Sequence, residues 1–95
     1  MGQKEAAMPH YVYRGTNKTE REIYFGVSKD PVERIDGSHC VGATKALKHW
    51  DCENDDIAWA LMSQHQSQSA ASDEAHAWEK TKPPRGYKII QTKGI

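Results

Sequence analysis

The sequence predicts a small α/β fold of the layered α+β kind, a three-stranded antiparallel sheet flanked by helices. Three observations predict it. Two short aromatic and β-branched runs, Tyr11-Val12-Tyr13 and Ile23-Tyr24-Phe25-Gly26-Val27, bracket one polar turn, which is the signature of a β-hairpin. A third run at residues 57–62 alternates, with Ile57, Trp59 and Leu61 on one face. Two further segments open with helix-capping chemistry, and such helices must bury an apolar stripe against the sheet.

Taken in order, residues 1–9 read as a polar, flexible N-terminal arm, and residues 10–95 as a single domain. Ninety-five residues allow one modest core, burying ~60–70% of the unfolded surface. Residues 15–20 carry turn chemistry between the first two strands. Asp30-Pro31 opens a helix, Asp as cap and Pro preset for the first turn, and Gly37 stops it. Val32 and Ile35 mark its buried side, with Arg34 turned away from Val32. Residues 44–50 form a second short helix capped by Thr44, and residues 51–56 an acidic loop. A Gln/Ser tract at 64–69 reads as a surface loop. The last helix is capped by Ser72 or Asp73 and runs to about Lys80, before Pro83-Pro84. Ala71, Ala75 and Trp78 form its apolar stripe, and Glu74 and Glu79 flank that stripe almost symmetrically. Residues 87–91 offer one more strand.

The charge balance removes several functions. Thirteen basic residues face thirteen acidic ones, so the chain is neither a highly basic nucleic-acid glove nor an acidic tail, although a local basic patch remains open. No apolar run approaches the ~20 residues of a membrane span. The first residues hold no apolar stretch, so no secretory leader is expected. Cys40 and Cys52 are too few for a disulfide framework and read as free thiols in a reducing cytoplasm. His39, Cys40, His49 and Cys52 are all ligand types, but no Cys-x-x-Cys pair supports zinc. The simpler reading is a buried thiol and surface histidines.

Two tyrosine-centred strands followed by an Arg-bearing helix form a less common pattern. Tyr11-Val12-Tyr13 and Tyr24-Phe25-Gly26 resemble the two motifs of the GIY-YIG nuclease family. Tyr13 stands at the Tyr of the first motif, and Tyr24 and Gly26 at the Tyr and Gly of the second. Arg34 follows where the family's helix carries its Arg, and Asp30-Pro31 ahead of it is similar too. Further on, the run from Glu74 to Glu79 resembles the family's third helix, which ends in a metal-binding Glu, and the run from Tyr87 to Ile90 resembles its final Tyr-Asn-hydrophobic stretch. The first motif has Tyr11 for the family's Gly, the second has Phe25 for Ile, and Lys88 stands at the late Asn, removing a side chain that both donates and accepts.

The resemblance implies a metal-dependent endonuclease hydrolysing DNA phosphodiester bonds. Tyr13 would be the base, Arg34 the charge stabiliser, Tyr24 a catalytic partner and Glu79 the ligand of one divalent ion, Mg²⁺ or Mn²⁺. Gly26, Lys29, His39 and Lys88 would meet the substrate, His39 because the family often carries a His soon after its Arg. The residues have suitable chemistry. A Tyr ordinarily titrates near ~10 and needs a cation beside it to act as a base. Arg34 can supply that field and hold a phosphodiester through two contacts, and Gly26 leaves room for a close approach. Periodicity does not choose between Glu79 and Glu74; only the resemblance prefers Glu79. With neutral net charge, DNA binding should be weak and salt-sensitive, carried by Lys29, Arg34, Lys45, Lys48, Lys80 and Lys82, and a partner protein would supply site choice. The alternative is a catalytically inactive domain of the same scaffold that binds nucleic acid or protein.

Overall fold

The computed structural model describes residues 9–92; the expected N-terminal arm, apart from Pro9, lies outside the described residues. The elements are β1 (His10–Asn17), β2 (Glu22–Ser28), α1 (Pro31–Arg34), a π turn (Ile35–His39), a 3₁₀ turn (Lys45–Leu47), β3 (Ile57–His65), α2 (Gln68–Glu79) and β4 (Lys88–Ile89). The sheet order is β3-β1-β2-β4. β1 is antiparallel to both β2 and β3. The expected three antiparallel strands are therefore joined by a fourth, and β4 pairs parallel to β2. It is two residues long, and its ends are tied to β2 by Lys88 N–H on Arg21 O at 3.0 Å and Ile90 N–H on Ile23 O at 2.8 Å.

The hairpin turn is held by a buried side chain. Asn17 is fully buried; its Oδ1 accepts from Glu20 N–H at 2.9 Å and its Nδ2 donates to Asp55 at 2.9 Å. This second bond ties the acidic loop to the hairpin, and Arg21 closes the turn at φ 58°.

Both faces of the hairpin are covered, since successive side chains point to opposite sides. On one face Val12, Ile23, Phe25 and Ile89 pack with Ala71 and Ala75 of α2. On the other, Tyr13, Tyr24, Leu47 and Trp50 cluster with Ile35, Ile57, Trp59 and Ile90 around them. The β1–β3 register slips between Val12 and Tyr13, which face Ser63 and Leu61.

Several local expectations are corrected. Asp30 caps α1, accepting from Glu33 N–H at 3.1 Å, but α1 is one turn long and Val32 is 70% exposed rather than inward-facing. Gly37 does not end the helix; the chain widens into the π turn, closed by Cys40 N–H on Ile35 O. The 44–50 helix shrinks to the 3₁₀ turn, and Thr44 makes no side-chain cap bond there. The 64–69 loop is taken up from both sides: β3 runs to His65, and α2 starts at Gln68 with Ser67 as cap, accepting from Ala70 N–H at 3.1 Å. The buried stripe of α2 is Ala71, Ala75 and Glu79, while Trp78 lies at its edge and stacks on Phe25 at 5.8 Å and 16°. Cys40 and Cys52 are not free thiols: they form a disulfide, Cα atoms 5.5 Å apart. Their union also removes both from the zinc reading. No described helix is long and apolar enough to cross a membrane.

Candidate active site

The register places Tyr13 opposite Gly26 and Tyr24 opposite Gly15. The two tyrosines thus share a face on a diagonal, rings 6.2 Å apart at 55°. A Cβ at Gly26 would overlap the Tyr13 ring and hydroxyl, so the room at Gly26 is taken by Tyr13 itself. Gly15 does the same for Trp59, whose ring would meet an added Cβ at 2.5 Å.

His39 completes the cluster. The π turn delivers it to the sheet, where it is 1% exposed, against the reading of surface histidines. Its Nε2 lies 2.5 Å from Tyr13 Oη and its Nδ1 2.5 Å from Thr44 Oγ1. Trp59 stacks on the imidazole at 5.6 Å and 12°, and Tyr24 meets it edge-on at 5.1 Å. The ring is held in plane and rotation by four neighbours.

Electrostatics keep this cluster uncharged. Burial pushes the Tyr13 phenol well above its ordinary range, the neighbouring Tyr24 adds to this, and the Arg34 cation pulls against it. Tyr24 is also raised, by burial first, with Arg34 again opposing. Burial and then Arg34 lower His39 to about 4. Arg34, at the exposed end of α1, therefore exerts its field on all three groups.

Glu79 and Glu74 are no longer equivalent. Glu79 is buried on α2, with its side chain 4% exposed. Its Oε2 accepts from Thr92 Oγ1 at 2.7 Å and Thr92 N–H at 3.3 Å, while Oε1 has His76 Nδ1 at 3.4 Å. Its charge acts on Tyr24, resisting ionisation of that phenol. Glu74 is engaged elsewhere: it accepts from Ser63 Oγ at 2.8 Å and Trp78 Nε1 at 3.0 Å, and pairs with His65 at 2.7 Å. Burial raises its carboxyl, but those hydrogen bonds outweigh it and leave the group below its ordinary range.

Among the described residues no group of three His, Cys, Asp or Glu gathers for a metal. Glu79, whose charge is felt by Tyr24, has one long contact at Oε1, but its side chain is 4% exposed, so a hydrated ion reaches it only when the surrounding chain opens. A single carboxylate suits a hard ion that keeps most of its waters, as Mg²⁺ does, and does not suit a protein-enclosed zinc. Lys29 is exposed just beyond β2. Lys88 is exposed on β4 opposite Glu22, where its charge acts on that carboxylate. Glu22 also accepts from Trp50 Nε1 at 2.8 Å and pairs with His49 at 2.6 Å.

Sequence reasoning missed Thr44, Trp59 and Thr92 as partners of the site. Thr44 was readable only as a helix cap, and Trp59 only as a strand-face aromatic. Nothing around Thr92 marked it. No curated protein and no solved structure matches the chain. A family model described as the GIY-YIG catalytic domain matches residues 9–88, which include both tyrosine strands, Arg34, His39 and Glu79. The chain belongs to the GIY-YIG family.

Proposed function

We propose that this domain is a divalent-metal-dependent endonuclease that hydrolyses DNA phosphodiester bonds with little sequence preference of its own. The observation that carries this reading is the Tyr13 Oη to His39 Nε2 hydrogen bond, 2.5 Å long and within the field of Arg34. It is a proton path beside a phosphate-binding cation.

Neither member of the path ionises alone, because burial holds the phenol protonated and the imidazole neutral. The proton movement is therefore concerted. As the oxygen of a water attacks phosphorus and the bond to the leaving oxygen breaks, that water's proton passes to Tyr13 Oη, and the phenolic proton passes to His39 Nε2. Arg34 binds the phosphodiester. Burial is the larger cause that lowers His39 and Arg34 the smaller; the arriving anion offsets the Arg34 part, so His39 becomes a better acceptor when substrate is present. Tyr24 packs beside Tyr13 and His39 and fixes their approach. Glu79 would hold one Mg²⁺ or Mn²⁺, which when bound stabilises charge on the phosphate and the leaving oxygen. Lys29 and Lys88 would meet flanking phosphates, and Gly26 serves by seating Tyr13. The small neutral domain leaves sequence choice to a partner protein. A cytoplasmic location is proposed with one condition: a reducing cytoplasm would open the Cys40–Cys52 bond.

One observation favours a second reading, a catalytically inactive binding domain. Tyr13 and Tyr24 are 1% and 3% exposed, so a water reaches Oη only after the groups packed on it, His39 and Trp59 among them, move. Catalytic contacts are commonly completed only with substrate bound, and the nuclease reading requires such an opening.

Plasmid nicking with and without Mg²⁺ or Mn²⁺ decides between them. Nicking by the parent, lost in Tyr13→Phe and Arg34→Ala, supports the nuclease. A parent that binds DNA, with log affinity falling ~0.9 per log salt for each phosphate contacted, yet never nicks would establish the binding domain.

A further inference from the structure

The imidazole of His39 has one freedom left. Trp59, Tyr24, Tyr13 and Thr44 fix its plane and rotation, but the proton can still sit on either nitrogen. With the proton on Nε2, His39 donates to Tyr13 Oη and accepts from Thr44. With the proton on Nδ1, it donates to Thr44 Oγ1 and offers the Nε2 lone pair to Tyr13.

We propose that Thr44 is a positioning residue: its hydroxyl oxygen accepts from His39 Nδ1–H and so fixes the tautomer whose Nε2 faces Tyr13 as an acceptor. This rests on the nuclease reading for its consequence in catalysis, but the tautomer stands on the structure's own geometry. Tyr13 is 1% exposed, and a buried hydroxyl proton needs an acceptor. His39 Nε2 is that acceptor only in the Nδ1–H form. Thr44 is half-buried, so in this form the three donors point outward in sequence, from Tyr13 to His39 to Thr44, and the last hydroxyl has access to water. In the opposite form every donor points inward and the Tyr13 proton is left to its weaker partner, the Tyr24 hydroxyl, in place of the short contact to His39. The titratable and charged groups facing His39 are Tyr13 on β1, Tyr24 on β2 and Arg34 on α1. Burial first and Arg34 second disfavour an imidazolium, so a neutral ring with a defined tautomer is the state that Thr44 acts on.

The placement of Thr44 is itself constrained. It lies in the loop closed by the Cys40–Cys52 disulfide, four residues after Cys40. Leu47, three residues further on, anchors that loop in the tyrosine cluster and is fully buried.

The test reads the tautomer directly. Long-range ¹H–¹⁵N correlation spectra of the full chain, without DNA, should show His39 protonated on Nδ1. Thr44→Val should shift the ring toward the Nε2–H form, lower kcat for nicking roughly tenfold or more, a fraction of the ~10²–10⁴ that a positioned acid–base group supplies, and leave KM for DNA unchanged. Thr44→Ser should restore both. A parent His39 protonated on Nε2 overturns the proposal whatever the activity, and so does a Thr44→Val protein that keeps the parent tautomer. If Thr44→Val does not fold, the parent spectrum and Thr44→Ser still decide. If the parent never nicks DNA, the nuclease reading fails by itself, and the spectrum still rules on the Thr44 contact.

Discussion

Tyr13 and Tyr24 stand on one face of the hairpin without facing each other: each lies across from a glycine, Gly26 and Gly15, and their rings meet on the diagonal at 6.2 Å. The arrangement brings Tyr13 Oη to His39 and leaves Tyr24 against the edge of the same imidazole.

Gly26→Ala tests the seat of Tyr13. The added methyl overlaps the phenol, so the ring must move. The expected cost is about 1–3 kcal/mol of stability, in the range of overpacked cores, together with loss of nicking as the His39 contact breaks. Urea unfolding checks the first part. In a Tyr13→Ala background the cost of Gly26→Ala should shrink; an equal cost there would show that the clash lies elsewhere.

Acid should weaken the fold earlier than carboxylate protonation alone would do. His39 titrates at about 4 in the folded chain and near ~6.5 when unfolded. Between those values the unfolded chain binds the extra proton, so stability is complete above ~6.5 and declines as pH falls toward about 4, at no more than ~1.4 kcal/mol per unit. Glu22 and Glu74, both held below the ordinary carboxylate range, lose their contributions lower still. Urea midpoints across this window should slope downward with acid, and His39→Gln should flatten the slope. The same shift predicts that kcat/KM keeps its value at pH 5.5, because the free enzyme's His39 is still neutral there.

Glu79→Gln and Glu74→Gln should separate activity from stability. A Gln at 79 still accepts from Thr92 but has no charge for a hard cation, so nicking should vanish with less than about 1 kcal/mol lost. Glu74→Gln weakens the knot with Ser63, His65 and Trp78 and should cost about 1–3 kcal/mol while nicking persists. The reverse pattern, activity lost at 74 and kept at 79, would move the metal to the other carboxylate.

Opening the disulfide should be felt at the site. The loop it closes carries Thr44, Leu47 and Trp50. Cys40→Ser with Cys52→Ser should lose about 2–4 kcal/mol, and reductant should lower the parent's urea midpoint while leaving the double variant's unchanged. A parent indifferent to reductant would mean that the bond contributes nothing to folding.

Much of this was legible in the residues. The hairpin, the alternation at Ile57 and Trp59, and the Tyr13, Tyr24, Arg34 spacing each leave a local mark, because strands and capped helices impose short-range rules. What escaped was set by tertiary contact. A strand was legible at residues 87–91, but its parallel pairing with the end of β2 was not, since that is set by which backbone groups meet across the fold. The inward face of α2 takes in Glu79, a carboxylate satisfied by Thr92, thirteen residues away in sequence, and no helical period announces that partner. Two cysteines twelve apart say nothing of pairing until the π turn and the acidic loop bring them together. Thr44 had the composition of a cap, and only the position of His39 gives it another partner.

The two glycines have a consequence for how the chain finds its fold. Gly15 admits the ring of Trp59 from β3, and Gly26 admits the ring of Tyr13 from β1. Each is a keyhole that one aromatic fills. A slip of β1 against β2 by two residues would keep every side chain on its proper face, so polarity alone cannot forbid it. It would, however, press Tyr13 onto Tyr24 or Ser28 in place of Gly26. The keyholes therefore act as a ruler along the hairpin, rejecting the mispaired sheets that hydrophobic patterning would accept. The residues that aim the phenol at His39 are also those that tell the strands where to stop sliding.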